Sequence, residues 1–276
     1  MSDRLARAVR QCVDTVRRHD REHYLCTLLL PDTVRSASFV LRAFNVEISR
    51  IDRSAQDPAM SRIRLMWWRD TLEKVSNPET RVEHPVAVAL QHAIGAYAFP
   101  RRWVSSIVDA RDRDTEPTSM ADMEKRFEAC HSTLLYLTLH GMGIRDLHAD
   151  HAASHIGKAV GIVTALRAIP GGYSANLPRD LLARGIRFDR ANPALADLTY
   201  ELACQAKQHL DHARSMRDSV PADARPVLLP AVPCSAWLDR IERANFDVFD
   251  RRFAPGHGDA LSTPLRLLYY RFRKRY

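Results

Sequence analysis

The chain has 276 residues, 46% of them hydrophobic, so it can bury a large core as one big helical domain or two ordinary ones. Its formal net charge of +8 favours an anionic neighbour, such as an acidic protein face, an anionic lipid surface or RNA. Its apolar stretches fall well short of the ~18 residues that span a bilayer, which excludes a transmembrane helix, and its scattered cysteines favour buried thiols over disulfides or a zinc knuckle.

The apolar residues repeat at helical spacing along almost the whole chain, which predicts an all-α fold. The first helix is predicted over residues 3–19, which read either as the first helix of the fold or as an Arg-rich amphipathic targeting segment. Two long apolar stripes predict single long helices over 120–141 and 195–216. The other helices are predicted, in chain order, at 33–52, 59–75, 84–98, 101–111, 150–168, 234–246 and 262–274.

The segment 33–52 is apolar on most of its circumference, as expected of a helix in the middle of a bundle. The next helix, at 59–75, carries Trp67 and Trp68 and is expected to pack beside it. Proline-containing breaks separate the helices, but no Gly/Ser linker, low-complexity run or internal repeat interrupts the chain. The sequence therefore predicts a single domain over residues 1–276.

Several short motifs occur in a set order along the chain. They are HYLCTLLLP at 23–31, LRAFNVE at 41–47, RLMWWRD at 64–70, HPVA at 84–87, GKA at 157–159 and NLP at 176–178. In this order the motifs resemble the squalene/phytoene synthase family, over residues 20–250. The resemblance implies a single-domain, isoprenoid-synthase-like helical bundle.

Active members of that family hold magnesium ions with two aspartate-rich motifs, and the ions bind the diphosphate of a prenyl substrate. Magnesium prefers oxygen ligands, and the departing pyrophosphate needs its charge neutralised. Aligning the first motif on the Ala-Phe pair at 43–44 puts a family arginine at Val46, and puts the aspartates at Ser49, Arg50 and Arg53.

Aligning the second motif on the GKA at 157–159 puts the family's glutamine at Gly161, its asparagine at Thr164 and its aspartate at Ala168. The segments 39–55 and 155–176 contain one aspartate between them, Asp52, so no small shift of register restores both motifs. The resemblance therefore implies a pseudoenzyme with no catalytic, cofactor-binding or metal-binding residues. No cofactor and no magnesium-diphosphate substrate are expected.

Within the family, AFNVE at 43–47 followed by RLxWWRD at 64–70 is similar to a non-catalytic branch. That branch implies an assembly factor for a respiratory complex, complex I first, working in mitochondria on the matrix side and peripheral to the inner membrane. Its partner would be a protein assembly intermediate. Two alternatives stay open: a basic adaptor in a mitochondrial ribosome or another RNA-protein assembly, and an isoprenoid-binding protein or residual prenyl transferase.

Three other groups of residues have spacings that suggest chemistry. Asp146 and Asp150 are spaced to bind a cation but are better explained by capping of a helix start. Glu124 and Glu128 lie between the apolar stripe positions of their helix and are interpreted as a solvated face. A third group could place three imidazoles on one helix face for zinc, although this spacing is common by chance in a chain with twelve histidines: His148, His151 and His155.

The C-terminal residues 262–276 interleave aromatic and cationic side chains in a predicted helix. An anionic membrane surface would attract the cations while the aromatic rings settle at the interface. RNA would use the same residue types, and a solvated last helix is the third interpretation. The candidate contacts for an anionic partner are Arg266, Arg271, Arg273, Lys274 and Arg275.

Overall fold

In a computed structural model, the protein is all-α, with no β-strand in the described residues, as predicted. The structure describes residues 2–54, 58–77, 79–112, 117–173, 176–183, 185–189, 192–253 and 262–276. The chain forms two compact units, here called unit 1 (Met1–Asp112 and Thr133–Arg145) and unit 2 (Arg113–Ser132 and Asp146–Tyr276). The single-domain organisation over 1–276 stays a prediction.

The helices follow the predicted order closely. Those of the first half are α1 (Asp3–His19), α2 (Arg21–Leu28), α3 (Asp32–Ser54), α4 (Pro58–Val75), α5 (Pro85–Tyr97), α6 (Arg101–Asp109) and α7 (Met120–Phe127). Those of the second half are α8 (Thr133–Gly141), α9 (Leu147–Ala168), α10 (Arg179–Leu182), α11 (Pro193–Ser215), α12 (Ala231–Arg243) and α13 (Ser262–Phe272).

Unit 1 is built around α3, which is buried on most of its circumference and packs against α1, α2, α4, α5 and α8. The predicted neighbour α4 meets it through Trp68, whose ring lies 5.2 Å from that of Phe44. Ala8, Cys12 and Val16 of α1 are buried in the same core. α1 therefore packs into the core of unit 1, and its two interpretations, first helix of the fold or targeting segment, stay predictions.

Unit 2 is centred on the long helices α9 and α11, which pack closely against each other through their buried apolar residues. Asp146 caps the start of α9 by accepting a hydrogen bond from the Ala149 amide at 2.8 Å, which confirms its predicted role. α12 packs on both of these helices, and α13 packs on α12.

The segment 120–141 corrects the prediction of one uninterrupted α-helix. The stripe is buried as expected, but Glu128–Ser132 form a π-helical segment between α7 and α8. A π-helical turn carries an extra residue and is rare in proteins. Ser132 ends this segment, and its backbone lies directly against Gly157 of α9.

The cysteines confirm the sequence interpretation. All five are free thiols, and all are buried except the partly buried Cys204. Burial raises the pKa of Cys12 to about 12, so this thiol stays protonated and unreactive. None of the helices in the described ranges is both long and apolar enough to cross a bilayer.

Candidate functional site

The positions aligned with the first magnesium motif lie on α3 in unit 1. Val46 is buried, and the hydroxyl of the partly buried Ser49 donates to the Val46 carbonyl at 2.9 Å. Arg50 is exposed, and its Nη1 lies 3.1 Å from Nε2 of His19 on α1. Arg53 belongs to the last turn of α3, but its side chain lies outside the described residues. None of the three aligned side chains that the structure describes, Val46, Ser49 and Arg50, carries a carboxylate, the ligand that magnesium prefers.

A group of charged side chains in unit 1 stabilises the packing of α2 on α3. Asp20, the N-cap of α2, lies 2.7 Å from Nδ1 of His23. Burial by itself would raise the pKa of Asp20, but the charge and hydrogen bond of His23, together with the buried Arg42 of α3, lower it to about 2. These interactions join α2 to α3, and they give the charges a structural explanation.

The positions aligned with the second motif lie on α9 in unit 2. Gly161 is packed against Phe127 of α7 so closely that a Cβ atom at Gly161 would lie 2.3 Å from Cγ of that ring. Thr164 donates its hydroxyl to the Val160 carbonyl at 2.7 Å. Ala168 is the last residue of α9 and carries no ligand atom. The ring of Phe127 thus fills the space in which a longer side chain at Gly161 would have to lie.

Together these positions offer little for metal chemistry. No group of three or more His, Cys, Asp or Glu side chains in the described parts of the chain could hold a metal ion. Gly161 lacks a side chain, and Thr164 has its hydroxyl engaged by its own helix. The alignment of these residues with the magnesium motifs stays a prediction, since it rests on the resemblance in sequence.

The most concentrated polar cluster of unit 2 joins three helices through histidines. Nδ1 of His155 on α9 lies 2.8 Å from Nδ1 of His209 on α11, and the ring of His155 lies 4.2 Å from that of His212. Nε2 of His209 lies 3.2 Å from Glu124 of α7, whose carboxylate also accepts a hydrogen bond from Gln205 at 2.8 Å. We call these five residues the histidine network.

The histidine network changes two sequence interpretations. Glu124 and Glu128 are not a solvated face, because Glu124 belongs to the network and Glu128 accepts a hydrogen bond from Ser154 and pairs with Lys158 at 3.3 Å. His155 contacts His209 of α11, whereas its predicted partners His148 and His151 are exposed. The sequence did contain one sign of the network. His209 is a polar residue on the apolar stripe of α11, and a buried polar group needs a hydrogen-bonding partner.

Acidification is expected to weaken unit 2 through the network. Burial lowers the pKa of His155 to about 4, with further lowering by His212, His209, Lys158 and His151. The unfolded pKa is about 6.5, so between these values the unfolded state binds more protons, and stability is lost as the pH falls from about 6.5 towards 4. The full shift corresponds to about 2 kcal/mol, but His155 is only partly buried and water screens part of it. We therefore expect the free energy of unfolding to fall by about 1 kcal/mol between about pH 7.5 and pH 5.

Urea unfolding of purified protein at the two pH values measures this change. The variant His155→Gln should lose most of the pH dependence, while His148→Gln, at an exposed position on the same helix, should keep it. An equal fall in stability for His155→Gln and the unmodified protein would contradict the assignment.

The candidate contacts for an anionic partner all lie at the C-terminal end of unit 2. Arg266 is exposed on α13, and Arg271 is partly exposed in its last turn. Arg273, Lys274 and Arg275 are exposed beyond the end of the helix. The structure therefore brings these cations together on one terminal segment, away from the motif positions in sequence.

A family model described as squalene/phytoene synthase matches residues 16–257. The protein named "NADH dehydrogenase (ubiquinone) complex I, assembly factor 6" from Homo sapiens is 41% identical over 252 residues, which cover 86% of this chain and 75% of that protein. Its counterpart from Bos taurus is 38% identical over 281 residues, covering 97% of this chain and 83% of that protein.

Solved structures with the same fold are more distant in sequence. The squalene synthase HpnC from Alicyclobacillus acidocaldarius superposes with a TM-score of 0.72 at 19% identity, covering 90% of this chain and 97% of that one. A dehydrosqualene synthase in complex with ligand superposes with a TM-score of 0.76 at 16% identity, covering 98% and 96%. These likenesses confirm the predicted isoprenoid-synthase-like fold.

Proposed function

The chain belongs to the squalene/phytoene synthase family, and we propose that within this family it works as a catalytically inactive assembly factor for respiratory complex I. Relatives that are 38% and 41% identical over most of its length carry the words complex I assembly factor in their names. The proposed partner is a protein assembly intermediate, and no magnesium-bound prenyl diphosphate is expected as substrate.

The main observation that supports catalytic inactivity lies in unit 2, and a second one lies on α3. Where active members of the family are expected to place a polar side chain on α9, this chain has Gly161, and the ring of Phe127 occupies the adjoining space. On α3, the aligned position Arg50 is a cation, which would repel magnesium. Both features favour a protein that keeps the fold and has lost the ionisation chemistry.

The proposed location follows from the proposed partner. We place the chain in mitochondria, on the matrix side and peripheral to the inner membrane, where an intermediate of complex I would be reached. The formal net charge of +8 supports a peripheral position, because the surface of a membrane rich in anionic lipid attracts cations.

Deletion of the gene is expected to remove most fully assembled complex I from the mitochondria of its source organism. The reason is that an assembly factor acts before the complex is complete, so its loss arrests an intermediate. Native gels with an in-gel NADH dehydrogenase stain measure the complex, complex II serves as the unaffected control, and re-expression of this chain should restore complex I.

Two results would contradict the proposal. Normal complex I in the deletion strain, with a loss of mitochondrial ribosomal subunits, would favour the basic adaptor instead. Magnesium-dependent release of pyrophosphate from prenyl diphosphates by the purified protein would show a residual prenyl transferase.

A further inference from the structure

The outward face of α13 is a continuous apolar stripe. Leu265 is 65% exposed, Leu268 54%, Tyr269 58% and Phe272 86%. At about 100° per residue, these four positions fall within an arc of about 100°. We call them the α13 stripe. Large apolar side chains exposed side by side on one face mark an interaction surface more often than isolated ones do.

The orientation of this helix is held from its other side. Leu267 is 1% exposed and points into unit 2, where α13 packs on α12. Beyond the helix the chain turns at Lys274, which has a φ of 52°, and buries Tyr276. The Tyr276 hydroxyl donates to the Ala213 carbonyl at 3.1 Å. The α13 stripe is thus directed outward by a helix anchored at both its middle and its end.

Cationic side chains lie on both sides of the α13 stripe, and residues 262–276 contain no carboxylate side chain to offset them. Arg266 and Arg271 project on the two sides of the stripe by helical position. Four cationic residues lie close together at the end of the helix, beside Ala222, Pro226 and Leu229: Arg225, Arg271, Lys274 and Arg275.

We propose that the α13 stripe is a membrane-contact surface that lies on an anionic phospholipid bilayer, with the cations at the end of the helix among the lipid phosphates. Aliphatic and aromatic side chains at the centre with arginines at both edges are the arrangement of an interfacial helix, because the apolar residues enter the acyl boundary while the cations stay among headgroups. An RNA surface would instead stack bases on aromatic rings, a role that Leu265 and Leu268 of the stripe cannot fill.

The proposal adds a contact surface to the peripheral location given above. It rests on the proposed function only for the identity of the membrane. The test uses the full chain and vesicles of phosphatidylcholine, with or without about 30 mol% phosphatidylglycerol, in a flotation assay. We expect binding to the anionic vesicles alone, weakening steeply as salt is raised.

Two double variants test the two halves of the surface. Arg273→Glu/Lys274→Glu should weaken binding to anionic vesicles roughly tenfold or more, since each cation near the surface contributes to attraction. Leu268→Ser/Phe272→Ser should weaken it by a similar factor, and high salt should then abolish what remains. The matched controls are Arg102→Glu/Lys125→Glu, which changes the charge equally, and Leu147→Ser, which removes another exposed leucine of unit 2.

Several outcomes would overturn the membrane surface. One is an equal loss of binding in the control variants, and another is equal binding to neutral vesicles. A third is release of the protein from vesicles by inorganic phosphate at constant ionic strength, which would indicate a free-phosphate site. Phe272-dependent binding to single-stranded RNA without vesicle binding would also overturn it. Because the flotation assay contains no complex I intermediate, its failure leaves the assembly function standing, and failure of the gene-deletion experiment leaves the membrane surface standing.

Discussion

Replacing Gly157 by alanine is expected to destabilise the protein by about 3 kcal/mol, because overpacking against backbone cannot be relieved by a rotamer change. A Cβ atom at Gly157 would lie 2.2 Å from Oγ, 2.4 Å from the amide nitrogen and 2.5 Å from Cα of Ser132. Two of these three atoms belong to the main chain of the π-helical segment. The helices must separate or the segment must rewind, and either change disrupts the hydrogen bond from Ser132 to the Ser154 carbonyl.

A second glycine offers the matched control. Gly95 lies in the last turn of α5 with nothing within 4 Å of the position a Cβ would take, and Gly95→Ala should stabilise by about 0.5 kcal/mol through the lower entropy of the unfolded chain. Urea unfolding followed by circular dichroism measures both variants. A Gly157→Ala protein that unfolds at the midpoint of the unmodified chain would mean that α9 and the π-helical segment are not in the close contact described.

Much of the helical layout could be predicted because burial leaves a periodic pattern in the sequence. The helix predicted at 33–52 is observed as Asp32–Ser54, and the one predicted at 59–75 as Pro58–Val75. Both have an apolar pattern long enough to separate helix from loop, and Pro31 marks the start of the first. The two helices were expected to be neighbours, and the observed contact of Trp68 with Phe44 agrees with that expectation.

The two short helices were missed for a different reason. α2 spans only Arg21–Leu28 and buries Cys26 and Thr27, so eight residues provide no recognisable stripe. Its start depends on Asp20, whose side chain accepts from the His23 amide at 3.4 Å. α10 is a single turn of four residues, Arg179–Leu182. Helices of this length are stabilised by caps and tertiary contacts more than by their own sequence.

The candidate site also has parts that could be predicted from the sequence and parts that could not. The alignment at Gly161 and Thr164 could be made from sequence, because the GKA motif sets the register of α9. The ring of Phe127 beside Gly161 could not, because that contact joins residues 34 positions apart on two helices. The π-helical segment was also hidden, since steps of three and four residues continue through it without interruption.

The packing of Phe127 on α9 is expected to be among the largest single contributions of one side chain to stability. Phe127 is 2% exposed, and Phe127→Ala should cost about 4 kcal/mol, because the ring is lost and the cavity it leaves closes only in part. Gly161→Ala alone should cost about 2 kcal/mol, because its Cβ would lie 2.3 Å from Cγ and 2.5 Å from Cβ of Phe127.

The double variant separates this contact from general damage to the helices. In the Phe127→Ala background the contacts with the ring are gone, but the Cβ of residue 127 remains 2.5 Å from the Cβ at position 161. Gly161→Ala should therefore still cost about 1 kcal/mol, a coupling of about 1 kcal/mol between the two changes. Urea unfolding of the four proteins in the cycle measures the coupling. Additive costs would mean that the ring does not fill the space beside Gly161. The expected coupling would mean that a longer side chain returns to this position of α9 only if Phe127 is first replaced, so the path back to a polar second motif requires two substitutions, the first of which is costly.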